Sequence, residues 1–332
     1  MDQKVKKFSL IFLLGVMLMF VVACAEEEEE GVSTDSESDE DVVSASEDSE
    51  EQNELEEGPE GYLSAQGSDT MVNLGQAFAE AYMSDYPGDV AVTGGGTGTG
   101  IAALINDDVD IAQASRAFSD EEVEEAQNND VEVQAFVVGQ DGLAIYLNEN
   151  NPVENLTIQE LKDIFTGEIT EWSELGWDEG GTISVFSRQS NSGTYVYFNE
   201  NIMGGEDWAS GTQFMSGSAA LVEGVAQDEG GVGYSGIGYN EDTVNVVNVA
   251  IDEDSDYVTP LEAENVNDGS YPIARPLYFY TNGVPDGLML HYLDWVLKSE
   301  EATEQLNITG FYGIGDYEEE NIELYEELGL DW

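Results

Sequence analysis

The chain of 332 residues has very little of three things: cysteine, histidine and positive charge. Its single cysteine, Cys24, excludes an internal disulfide, and with His291 as the sole histidine a Cys/His metal site is all but excluded. One histidine far from any serine-rich loop also leaves no Ser-His-Asp arrangement, and no G-x-S-x-G turn is present. Eight Lys and Arg stand against 71 Asp and Glu, a formal net charge of −63. So acidic a surface repels nucleic acid and anionic membrane, and neither is an expected partner.

The charge is unevenly spread. Residues 1–24 hold Lys4, Lys6 and Lys7, an apolar run from Phe8 to Val22, and Val21-Val22-Ala23-Cys24. That run is short for a membrane span and has the flanks of an export signal, with Cys24 where a lipoprotein signal is cleaved and lipidated. Residues 25–60 carry 18 acids and few large apolar groups. The expectation there is a disordered, self-repelling tether. From residue 61 onward 52 acids face five basic residues, Arg116, Lys162, Arg188, Arg275 and Lys298. In molar salt the Debye length falls to about 3 Å and such a surface becomes tolerable, so a halophilic source is expected.

Glycine and hydroxyl residues are plentiful where apolar strands end. Gly94-Gly95-Gly96-Thr97-Gly98-Thr99-Gly100 lies between the strand pattern Val90–Val92 and a helical pattern through Ile101, Leu104 and Ile105. Ser68-Asp69-Thr70 precedes a helix marked by Met71, Leu74, Phe78, Ala81 and Tyr82. Ser190-Asn191-Ser192-Gly193-Thr194 follows the strand Ile183–Phe186 and precedes Tyr195, Phe198 and Ile202. The alternation of strand, loop and helix implies a parallel sheet with its loops at one edge. Three helix starts, each carrying about +0.5 of effective charge, together with their hydroxyls, suit a tetrahedral oxyanion. Two of the five scarce basic residues, Arg116 and Arg188, fall in such loops, which suggests a specific anion.

Other motifs fail. The glycine run fits neither G-x-G-x-x-G nor G-x-x-x-x-G-K-[ST], and Asp252-x-Asp254-x-Asp256 has Tyr257 where a calcium loop needs glycine. No metal or cofactor is expected. His291 reads as a core histidine within an apolar helix.

In order and spacing the chain resembles the phosphate-binding receptors of bacterial and archaeal phosphate ABC transporters. The resemblance runs through residues 61–315. It is carried by Gly67-Ser-Asp-Thr, Gly94-Gly-Gly-Thr-Gly-Thr-Gly-Ile, Val109-Asp-Ile with Ala114-Ser-Arg, Gln140-Asp-Gly-Leu-Ala, Ile164-Phe-Thr-Gly with Trp172, Arg188 with Ser192-Gly-Thr, and Tyr271-Pro-Ile-Ala-Arg-Pro-Leu. It implies an α/β, two-lobed flytrap fold of the periplasmic-binding-protein kind (type II), with phosphate held in the cleft and passed to a membrane permease with its ATPase. The family's anion donors fall on Ser68, Thr70, Thr97 and Ser115 in one lobe and on Arg188, Ser192, Gly193 and Thr194 in the other. Arg116 is expected to flank the anion from the first lobe. Some members carry an aspartate at the place of Ser115 to accept the phosphate proton; here Asp141 is the expected acceptor, with Asp69 second. The expected lobes are 61–140 with 273–332, and 141–272, hinged near Gly139–Asp141 and Tyr271–Arg275. A monomeric, lipid-anchored, extracytoplasmic receptor without catalytic activity is the leading expectation. A receptor for sulfate or molybdate, and a secreted phosphatase, are the alternatives.

Overall fold

The computed structural model describes residues 55–332. Segment 1–24 with Cys24, and the tether as far as residue 54, lie outside the described residues. Residues 55–60, expected to belong to the tether, are fastened to the folded body: the Glu56 N–H donates to the Asp85 carbonyl at 2.6 Å and the Tyr86 hydroxyl to Glu56 at 3.1 Å.

The first sheet begins with three parallel strands, β1 (Tyr62–Gly67), β2 (Asp89–Thr93) and β3 (Ile111–Ala114). They are linked by the helices α1 (Val72–Asp85) and α2 (Thr97–Ile105). After α3 (Asp120–Asn128), strand β4 (Val133–Gly142) ends this part of the chain. A second sheet is then built from β5 (Ala144–Asn148), β7 (Ser184–Arg188), β8 (Gln213–Met215), β9 (Gly231–Ser235) and β10 (Val244–Val246). Between them come β6 (Asn155–Thr157), α4 (Ile158–Thr166), α5 (Gly193–Asn201) and α6 (Ser218–Gln227). Strand β11 (Asn248–Ala250) pairs with β6, and α7 (Ala263–Asn267) follows. Strand β12 (Ala274–Asn282) returns to the first sheet, and α8 (Gly287–Lys298), α9 (Glu300–Ile308) and α10 (Tyr317–Leu328) finish the chain.

The strand orders are β2-β1-β3-β12-β4 and β10-β5-β9-β7-β8. The parallel sheet expected from the strand-loop-helix pattern is present in β1, β2 and β3; the sheet as a whole is mixed, because β12 arrives from the second lobe and lies antiparallel to both β3 and β4. The β4–β12 pair therefore joins the lobes, and it sets Asp141 opposite Arg275 and Gly142 opposite Ala274. A register shift between Leu277 and Tyr278 leaves Val138 as an extra residue on β4, a β-bulge.

Apolar spacing explains the helices. Leu74, Phe78 and Tyr82 of α1 recur every four residues, are fully buried, and meet α8, where Phe78 sets its ring edge-on to Trp295. Helix α4 starts with a capping box from Thr157 and Glu160 and stops at left-handed Gly167. One apolar cluster runs from Leu74, Phe78 and Trp295 through Phe311 and Ile237 to Leu221 and Val225, bringing side chains of both lobes into one core.

Candidate anion-binding cleft

The strand-end loops of both lobes meet on the same spot. Ser68 Oγ donates to Ser115 Oγ at 2.9 Å, and the hydroxyls of Thr97 and Ser115 lie 3.4 Å apart. From the second lobe the Thr194 hydroxyl comes within 2.7 Å of Thr70 Oγ1. All five residues are buried. Gly193 lies against this group: a Cβ there would run into the Thr97 hydroxyl and stand 2.8 Å from Ser115 Oγ, so any larger residue would separate the lobes. Ser192 is buried and is the N-cap of α5, accepting from the Tyr195 N–H.

Two helices start at this spot. Neither α1 nor α2 has a side-chain cap. The Met71 and Gly96 N–H groups donate to the Ser68 and Gly67 carbonyls, and the Gly98 N–H to the Asn191 carbonyl. The first four N–H groups of a helix have no partner within it, and those that neighbouring backbone does not take can donate to an anion.

Arg188 is the cation of the cleft. It ends β7, is fully buried, and donates to Ser218 Oγ and to Asp69 Oδ2, each at 2.7 Å, with a longer contact from Nε to Gln189. A guanidinium has five N–H donors, so two remain for a ligand. Burial lowers its pKa from the usual value, and the Asp69 carboxylate pushes it back up. Asp69 also accepts the Gly95 N–H at 2.8 Å, and its carbonyl takes the Tyr239 hydroxyl.

Arg116 does not join this group. Its two terminal nitrogens grip Glu122, both at 2.7 Å, and it lines a separate pocket of about 300 Å³ with Phe118 and Tyr278. The chain bends at Ser115 and Arg116, just past the end of β3, with Ser115 buried in the cluster and Arg116 turned toward Glu122. The buried cation that replaces it is Arg275, whose site role the sequence does not disclose. Arg275 Nε and Nη2 hold Asp141 Oδ2 at 3.0 and 2.7 Å, Nη1 reaches the Ser115 carbonyl at 3.0 Å, and Nη2 reaches Thr194 Oγ1 at 3.1 Å. Asp141 is fully buried, and its other oxygen takes the Ile237 N–H. It thus stands behind Arg275 and is tied to it. Ser218, at the start of α6, is a second residue the sequence reading missed; its signal was a small hydroxyl residue at a helix start after glycine. All five basic residues from 61 onward have a carboxylate partner, so the cleft carries no unpaired positive charge.

Two lobes, each built on a mixed sheet and joined by the antiparallel β4–β12 pair, with strand-end loops of both meeting at one buried spot, define a solute-binding protein of the hinged kind. The profile of the PBP superfamily domain matches residues 46–301. The phosphate-binding protein PstS of Pseudomonas aeruginosa is 34% identical over 259 residues, covering 73% of this chain and 80% of that one. PstS of Staphylococcus saprophyticus is 29% identical over 288 residues, 82% of this chain and 87% of that protein. Among solved structures, a phosphate ABC transporter substrate-binding protein from Clostridium perfringens with bound phosphate superposes with a TM-score of 0.69 at 28% identity, covering 76% of this chain and all of that one. An ABC-type phosphate transport receptor from Vibrio cholerae gives 0.60 at 28% identity, with 75% and 99% covered. The chain belongs to the PBP superfamily and, within it, to the PstS family of phosphate-binding proteins.

Proposed function

We propose that this protein is the extracytoplasmic receptor of a phosphate importer: it binds inorganic phosphate between its lobes and delivers it to an ABC permease, without catalysing a reaction. The observation that carries this reading is Arg188, wholly buried and with donors to spare, beside five buried hydroxyl residues and two uncapped helix starts. Ser68, Thr70, Thr97 and Ser115 hold the anion from one side. Arg188, Ser192, Gly193 and Thr194 hold it from the other, with Arg275 steadying Thr194 and the Ser115 backbone. The lobes divide at 140/141 and 272/273. Cys24 carries a lipid that keeps the receptor, acting as a monomer, at the membrane.

Selectivity requires an acceptor for the proton of hydrogen phosphate, which sulfate lacks. Asp69 suits this role better than Asp141. It lies between Ser68 and Thr70 in the anion loop and its side chain is 17% exposed, whereas Asp141 is sealed behind Arg275. Titration calorimetry of the full chain in molar salt tests both points. Phosphate is expected to bind and sulfate to bind far more weakly, with Asp69→Asn narrowing that gap. Equal binding of sulfate or molybdate would make the protein a general oxyanion receptor, and turnover of a chromogenic phosphate ester would make it an enzyme.

A further inference from the structure

The glycine run has a second job, at the rim of the cleft. Asn191 is exposed and belongs to the second lobe, yet it makes three hydrogen bonds to the first. Its Nδ2 donates to the Gly95 carbonyl at 2.8 Å and to Thr99 Oγ1 at 3.0 Å, and its own carbonyl accepts the Gly98 N–H at 3.0 Å. Thr99 is braced for this by donating to the Gly95 carbonyl at 2.8 Å. The backbones approach so closely that a Cβ on Gly96 would stand 2.7 Å from the Asn191 carbonyl, and Gly96 has φ +94°, where side chains are strained. Other cross-lobe bonds, such as Asp69 to Arg188, Thr70 to Thr194 and Arg275 to Thr194, lie in the anion group itself. The Asn191 bonds run to the rim residues Gly95, Gly98 and Thr99 instead.

From this we infer that Asn191 is a latch: a positioning residue that sets how long the lobes stay shut on the anion without touching it. The inference rests on reading the cleft as the phosphate site. A ligand that binds only the closed form has an apparent affinity scaled by the closed population, so loss of bonds made only on closure weakens binding. It does so mainly by speeding release, and equally for every anion the cleft accepts.

The test is phosphate and sulfate titration of the full chain, with release rates and ligand-free melting, for Asn191→Ala, Thr99→Val and the double variant. Removing the Asn191 side chain is expected to weaken phosphate about ten-fold, the worth of one to two ordinary hydrogen bonds. The phosphate-to-sulfate ratio and the ligand-free melting temperature should stay unchanged. Thr99→Val should cost about three-fold, and the double variant no more than Asn191→Ala alone, since both remove one contact. An affinity within two-fold of wild type overturns the latch, as does a fall matched by lower ligand-free melting, or a changed anion ratio, which would place Asn191 on the ligand. Failure of the wild-type chain itself to bind phosphate would overturn the functional reading instead.

Discussion

At the scale of single residues, Arg188 and Arg275 divide the work that the sequence appeared to give to Arg188 and Arg116. In the proposed site Arg188 supplies the free donors for the anion, and Arg188→Met should weaken phosphate by about 100-fold or more in calorimetry, given that hydrogen bonds to charged groups contribute about 1.5–3 kcal/mol each. Arg275 and Asp141 form a sealed ion pair. Asp141→Asn strips charge from one buried partner and should cost about 3–5 kcal/mol of stability, seen as a melting temperature lower by roughly 10 °C. Retained stability with lost selectivity would return the proton-acceptor role to Asp141. Arg116 serves α3 through Glu122. Burial raises the Glu122 pKa, but the Arg116 hydrogen bonds and the Ser119 N–H outweigh this and hold it below 4.5. The stability from that pair is therefore fully present above about pH 4.5 and is lost as the pH falls through the lowered folded value. Glu122→Gln should flatten the acid side of a melting-temperature profile and leave phosphate binding alone. The strand-end position of Arg116 was legible; its direction was not, because that is set by the bend after β3 and by Glu122 of α3. The role of Arg275 was hidden for another reason: its partner lies 134 positions away and is reached only through strand register.

At the scale of elements, periodicity disclosed most of the helices and the strand-to-helix loops, since burial of one face leaves its mark on local sequence. Helix α2 begins earlier than its apolar pattern, which starts at Ile101: Thr97, inside the glycine run, is already a helical residue. The antiparallel return of β12 left no local trace. Nor did the bulge at Val138, next to which Asn321 of α10 acts as a surrogate strand: its Oδ1 accepts the Val137 N–H at 3.0 Å and its Nδ2 donates to the Val137 carbonyl at 2.8 Å. Asn321 is buried, so Asn321→Leu leaves two buried backbone groups unpaired. A loss of about 2–4 kcal/mol is expected in denaturant unfolding. An unchanged midpoint would show that the bulge is satisfied without it.

At the scale of the whole molecule, the dominant fact is charge. With every basic residue from 61 onward paired, about 47 net negative charges stay on the folded part and repel one another. Melting temperature should rise steeply between low and molar salt, and a flat profile would contradict the expectation of a halophilic source. The same field makes the cleft notable: an anion must enter a strongly acidic protein and be held by N–H dipoles, hydroxyls and one guanidinium already shared with Asp69. Calorimetric titration of the full chain with phosphate in molar salt tests this most directly. One phosphate bound per chain, with a hinge closure visible in solution scattering, is the expected result. No binding of phosphate, with the Arg188→Met variant indistinguishable from wild type, would contradict it.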